Sequence, residues 1–172
     1  MEQMRKLPIG IQTFEKIRED GYLYVDKTAL IYQLASGSIP YFLSRPRRFG
    51  KSLLLSTFES YFQGRKDLFE GLAIEQLETK WERYPVLHLD LNAENYSDAE
   101  ALNLIINRYL NLWESEWGKD SQEISLSDRF SGIIRRAYEA TGKQVVVLID
   151  EYDKPLISTC LLYTSDAADD GE

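Results

Sequence analysis

Two segments, with Lys51 and Asp150 as landmarks 99 positions apart, constrain this chain more than anything else in it. The first, Tyr41-Phe-Leu-Ser-Arg-Pro-Arg-Arg-Phe-Gly-Lys-Ser52, reads as a buried strand running into a loop that ends in Gly-Lys-Ser, with helix-forming residues behind it. The second, Val145-Val-Val-Leu-Ile-Asp-Glu151, is an uninterrupted apolar run closed by two carboxylates. A loop of the first kind can cradle phosphate, and an acid pair at a strand end can hold magnesium and prepare a water. In this order, with strands and helices patterned between them, the segments point to an ATPase.

A phosphate cradle needs glycine where backbone N–H groups must curl around an anion, lysine to reach the outer phosphates, and a hydroxyl for magnesium. Gly50, Lys51 and Ser52 meet these needs, and a helix starting at Ser52 would point its positive end at the ligand. The expected phosphate-contacting stretch is Arg47, Arg48, Phe49, Gly50, Lys51, Ser52 and Leu53. The match to G-x-x-x-x-G-K-[ST] is incomplete, because Arg45 stands at the first glycine and Pro46 removes an N–H. Arg47 and Arg48 can offset this as cationic donors. A basic turn that only caps a helix fits the same residues, as does a nucleic-acid contact through Arg45, Arg47, Arg48 and Lys51.

Asp150 stands where an apolar strand emerges and is expected to bind magnesium together with Ser52. Glu151 is then placed as the base that orients and deprotonates a water, while Lys51 stabilises charge on the transferred phosphoryl group. A strand ending in solvated acids is the structural alternative. Asp153 reads as a surface or turn acid, and His88, on the middle strand, as a packed residue rather than a catalyst.

Between these landmarks the pattern alternates. Asp26 is suited to cap a helix over Lys27–Leu34, and Ile39–Leu43 reads as a short strand. Ser52–Phe62 reads as a helix buried through Leu54, Leu55, Phe58 and Phe62. Residues 63–84 suggest short helical pieces around Gly64 and Gly71, and Pro85–Leu91 a second strand. A helix from Asp98 to Trp117 carries Leu102, Ile105, Ile106, Tyr109, Trp113 and Trp117 on one stripe. Another, Ser127–Thr141, precedes the strand Val145–Ile149. Strands continuous in apolar residues suit a parallel sheet covered by helices on both faces, within one α/β domain.

The net charge of −8 argues against a nucleic-acid coat but leaves room for a local basic patch. One cysteine and one histidine exclude an intrachain disulfide and a zinc cluster, so any metal should be a hard ion held by oxygen. No apolar run nears the length of a membrane span and no signal peptide is visible, so a cytoplasmic protein with no membrane partner is expected. The last residues, from Cys160 to Glu172, change character. Cys160-Leu-Leu-Tyr-Thr-Ser165 matches an in-frame translation of a transposon-end sequencing adapter, TGT CTC TTA TAC ACA TCT. A native acidic tail is the alternative. As an adapter scar it would take Asp166, Asp169, Asp170 and Glu172 with it, bringing the charge from −8 to −4. The native chain would then be an N-terminal fragment.

Tyr24-Val-Asp-Lys-Thr28, Ser44-Arg-Pro-Arg-Arg-Phe-Gly-Lys-Ser52 and Leu148-Ile-Asp-Glu-Tyr-Asp153 resemble the markers of the bacterial AAA-ATPase-like domain, as do Leu7-Pro-Ile-Gly10 and the Phe14 region. The likeness covers residues 5–157, and the arginine-rich loop replaces the usual first glycine in that family too. It implies a P-loop fold of the AAA and STAND type, incomplete here at its C-terminus, and a C-terminal nuclease-like domain of the PD-(D/E)xK type. Carried over by motif, Lys51 and Ser52 bind phosphate and magnesium, Asp150 magnesium, and Glu151 water. Tyr24 to Thr28 lie where related ATPases contact the base, with packing as the alternative for Tyr24. The implied ligands are ATP and magnesium, with nucleic acid reached through the nuclease-like domain and a homo-oligomer left open. A non-hydrolysing nucleotide switch is the rival reading. A later strand, bearing a polar sensor residue, is expected between the strands of the two motifs and is absent from this sequence.

Overall fold

The computed structural model describes residues 5–37, 39–44, 49–92 and 99–153. The chain divides into two compact units, Met1–Val86 and Leu87–Glu172, each with its own hydrophobic core where the sequence suggests one.

The first unit contains α1 (Phe14–Glu19), α2 (Thr28–Ala35), α3 (Lys51–Phe62) and two 3₁₀ turns, Lys66–Phe69 and Ala73–Gln76. Its core is built on Phe14, Ile31, Leu68, Phe69, Leu72 and Ile74, with Leu53, Leu54, Phe58 and Tyr61 of α3 packed against them. Asp26 acts slightly differently from the helix cap expected of it. Its Oδ1 accepts the Thr28 N–H at 2.8 Å and the Thr28 hydroxyl at 2.7 Å, while Oδ2 accepts the Ala73 N–H at 2.7 Å. Thr28 Oγ1 in turn accepts the buried Ile74 N–H at 3.1 Å. One carboxylate and one hydroxyl therefore join the start of α2 to the second 3₁₀ turn. Partial burial pushes the Asp26 carboxyl up, but the donors from Thr28 and Ala73 outweigh it and hold the group below its ordinary value. Its stabilising contribution is thus present above the ordinary carboxylate range and lost as pH falls through the lowered value.

The buried side of α3 differs from the expected one. Leu54 and Phe58 do face the core, but the deepest residues are Thr57, 1% exposed, and Ser60. These hydroxyls tolerate burial because Thr57 donates to the Leu53 carbonyl at 2.8 Å and Ser60 to the Ser56 carbonyl at 3.1 Å. The strand expected at Ile39–Leu43 is not formed either. Residues 39–44 lie outside any helix or strand, and Phe42 is 72% exposed. An apolar run becomes a strand only when a neighbouring strand takes up its N–H and C=O groups, and the sheet of the described residues contains only β1 and β2.

The second unit contains β1 (Val86–Asp90, shared at its first residue with the first unit), α4 (Ala99–Trp117), α5 (Leu126–Thr141) and β2 (Val146–Asp150). All four fall within a residue or two of their expected positions. The two strands form a small parallel sheet, and the Leu91 N–H donates to the Asp150 carbonyl at 3.0 Å. On β2 the expected two-sided burial gives way to alternation: Leu148 and Asp150 are buried, whereas Val147 is 38% and Ile149 45% exposed. Helix α5 starts at a capping box, in which the Ser125 hydroxyl accepts the Asp128 N–H and the Asp128 carboxylate accepts the Ser125 N–H.

Helices α4 and α5 close over Leu87, Leu110, Trp113 and Ile133. The α4 stripe is as expected at Ile106, Tyr109, Trp113 and Trp117, with Leu110 added at its centre. Between the helices Arg129 Nε and Nη2 donate to Glu114 at 2.6 and 2.9 Å, and Nη1 and Nη2 donate to the Asn107 and Asn111 side-chain oxygens at 2.6 and 2.7 Å. Hydrogen bonding to Arg129 holds the Glu114 carboxyl below its usual range. Arg129→Leu leaves the buried Glu114 carboxylate with only the exposed Lys119 ammonium, 3.8 Å away, and should cost about 3 kcal/mol. Urea unfolding checks this, and a loss under about 1 kcal/mol contradicts it. The wild-type advantage over this variant should shrink as pH falls through the depressed Glu114 value, because the contribution of a lowered carboxylate is lost on protonation.

Candidate functional site

Each motif is built inside its own unit. In the first, Gly50 adopts φ +75°, ψ 23° and stands immediately before α3. This left-handed conformation suits glycine, and no atom lies within 4 Å of where a Cβ would project. The glycine is required here by backbone torsion rather than by crowding. The Leu54 N–H donates to the Gly50 carbonyl at 2.9 Å, so the N–H groups of Lys51, Ser52 and Leu53 precede the first intrahelical donor. They occupy the positive end of a 12-residue helix, with the Lys51 ammonium and Ser52 hydroxyl attached to the same turn. Phe49 and Gly50 are exposed, and Lys51, Ser52 and Leu53 are half-buried. Arg47 and Arg48, with Arg45 and Pro46, lie outside the described residues.

In the second unit Asp150 is the last residue of β2 and only 6% exposed. Its Oδ1 accepts the Glu151 N–H at 2.9 Å. Glu151 has φ +55°, a conformation that costs a residue with a Cβ roughly 1–2 kcal/mol. The chain thus turns sharply at the acid pair, with the Asp150 side chain bracing the turn and the Glu151 side chain half-buried. Nothing in the residue types signals this torsion; Asn or Gly would have flagged it, and Glu does not. Such outliers concentrate at functional sites.

The other expectations resolve as follows. Tyr24 packs edge-to-face on Phe14 with ring centroids 5.1 Å apart, and burial pushes its phenol up. Tyr24 and Thr28, the two ends of the motif, are therefore built into the first unit, while Val25, Asp26 and Lys27 between them are exposed. His88 is half-buried on β1, and Asp153 is half-buried after the acid pair. A cleft of about 100 Å³ beside Tyr61, Trp81 and Tyr84, and an open groove of about 510 Å³ along α5, are lined by none of the motif residues. Among the described residues no three His, Cys, Asp or Glu side chains gather as a metal cluster, and no helix is long and apolar enough to cross a membrane. The adapter-like tail from Cys160 to Glu172 lies outside the described residues.

The family model described as "AAA-ATPase_like: Predicted AAA-ATPase" matches residues 8–168. The chain belongs to this AAA-ATPase-like family. It is also 46% identical over 157 residues to a protein of Azotobacter chroococcum mcd 1 described as "Uncharacterized protein in vnfD 5'region". That match covers 89% of this chain and 30% of the relative, so the chain spans less than a third of the relative's length. No solved structure matches it. Both motifs lie within the part shared with the AAA-ATPase-like family.

Because Gly50 is torsionally demanding but sterically open, Gly50→Ala should destabilise the first unit by about 1 kcal/mol through backbone strain alone. Urea unfolding of the variant measures this, and an unchanged or increased stability would show that Gly50 does not hold the left-handed turn.

Proposed function

We propose that this chain is the nucleotide-handling part of a magnesium-dependent ATPase, with both motifs acting on one ATP in the whole protein. The observation that carries the reading is the start of α3, where a left-handed Gly50 leads into a first turn that holds the N–H groups of Lys51, Ser52 and Leu53 together with a lysine and a hydroxyl. Helix N-termini of this build favour phosphate. Family membership supports joining this half to the acid pair.

In this reading the N–H groups at 51–53 and the Lys51 ammonium hold the phosphates, with Phe49 and Gly50 shaping the approach and Arg47 and Arg48 adding charge. Lys51 also offsets the negative charge that builds on the transferred phosphoryl group. Ser52 and Asp150 would hold magnesium. One hydroxyl and one carboxylate suit an ion that keeps its waters and takes its remaining oxygens from phosphate, and do not suit one needing a protein cage. Magnesium, when bound, supplies charge neutralisation between the phosphate oxygens. Glu151 accepts the proton of the attacking water, its direction set by the turn that Asp150 braces. In this reading the outlet of the turnover is a nuclease-like domain of the whole protein, with nucleic acid as its substrate, as the family resemblance implies.

Glu151→Gln in the full-length protein should retain magnesium–ATP binding and lose turnover by about 10²-fold or more. Lys51→Ala should lose both. Calorimetric titration and phosphate release measure the two. Full turnover by Glu151→Gln would remove the base assignment, and binding without turnover in the wild type would favour a nucleotide switch.

A further inference from the structure

The cleft of about 100 Å³ in the first unit is lined by Tyr61, Glu78, Lys80, Trp81, Glu82 and Tyr84. It is well under the roughly 300–1,000 Å³ of a pocket for a whole small molecule, so it suits one functional group and a short stem. Trp81 is held in this wall by Glu78, whose Oε1 accepts the N–H groups of Lys80 at 2.7 Å and Trp81 at 3.4 Å. The Trp81 backbone adopts φ +47°, a torsion that bulky residues rarely take, and its ring lies 5.9 Å from Tyr61 and 5.2 Å from Phe69 between centroids.

The donors of this wall are largely committed. The Tyr61 hydroxyl donates to Glu78 Oε2. Burial pushes the Glu78 carboxyl up, but the donors from Tyr61, Lys80 and Trp81 outweigh it and hold the group below its ordinary value. Burial and the bond to Glu78 push the Tyr61 phenol up, so the proton of this pair stays on Tyr61. The Tyr84 hydroxyl donates to Glu82 Oε2 at 3.1 Å, and the Tyr84 N–H to the Phe62 carbonyl at 2.7 Å. Trp81 Nε1 is buried and is not open to the cleft. What the wall offers a ligand is therefore lone pairs on two carboxylates and two phenols, with aromatic surface beside them. The remaining side-chain donor among the lining residues is the ammonium of the exposed Lys80. Two carboxylates against one ammonium leave the wall net negative.

We propose that this cleft binds an alkylammonium group, carried by a free amine or by a lysine side chain of a polypeptide. An ammonium brings donors and positive charge and no acceptor, which complements a wall of acceptors. Its charge and stem also find favourable contact with aromatic rings. A phosphate would meet two carboxylates, so this site is separate in chemistry from the proposed ATP site.

The test titrates the full-length protein, without nucleotide and at low ionic strength, with three probes followed by saturation-transfer NMR. These are n-butylammonium, lysine capped as its acetyl amide, and n-butanol, which keeps the stem and loses the charge. Wild type should bind a charged probe with a millimolar Kd, and n-butanol at least about tenfold more weakly. Glu82→Gln should weaken binding of the charged probe about fivefold, whereas Lys80→Ala, at an exposed position, should tighten it about twofold. Opposite shifts in two variants cannot come from a general loss of folding. Tighter binding of the capped lysine supports the site with a polypeptide side chain as its ligand, and tighter binding of n-butylammonium supports it with a free amine. Equal binding of n-butanol, no saturation by either charged probe, or one affinity shared by wild type and both variants would overturn the proposal. None of these results depends on the ATP reading, which Lys51→Ala tests separately.

Discussion

The contact on which the first unit depends is that of Phe14 with Phe69. Both rings are fully buried, with centroids 4.8 Å apart, and they bring the first turn of α1 onto the first 3₁₀ turn. Closing so long a stretch of chain carries an entropic penalty that the burial of two aromatic rings helps to offset. Once it is closed, polar contacts have fixed places to form. Arg18 Nε donates to the Leu68 carbonyl at 2.7 Å and Nη2 to the Glu70 carbonyl at 2.6 Å. The Asp26 and Thr28 acceptors then meet the N–H groups of Ala73 and Ile74. Helix α3 lies in the seat these elements form, and its first turn carries the residues proposed to bind phosphate.

In the second unit the equivalent role falls to Glu114 and Arg129. Apolar packing brings α4 and α5 together but does not set one helix's register on the other. A guanidinium whose three nitrogens each donate to acceptors on α4 does set it. The same core includes Leu87 of β1 and Val145 just before β2, so the register of the helices bears on where β2 ends and the acid pair turns.

Much of this was legible in the residues. Helix α4 follows from its apolar stripe, and β1 and β2 from short apolar runs; α5 was placed to within a residue without its Ser125-x-x-Asp128 box being read. What escaped has a common cause. The expected strand at Ile39–Leu43 was inferred from apolar content, which does not say whether a pairing partner exists. The buried side of α3 was inferred from Leu and Phe, whereas Thr57 and Ser60 are buried because their hydroxyls bond within the helix. Asp26 was recognised as a cap, but its second oxygen serves Ala73, far away in sequence, which no local pattern reveals. At the site, Gly50 announced its torsion by being glycine, and Glu151 did not.

The central claim is that the start of α3 and the end of β2 serve one magnesium–ATP. A double-mutant cycle on magnesium–ATP affinity in the full-length protein, using Ser52→Ala and Asp150→Asn, tests it most directly. Groups that share one ion should be non-additive, with a coupling of about 1 kcal/mol or more. Losses that add to within about 0.5 kcal/mol would contradict a shared ion.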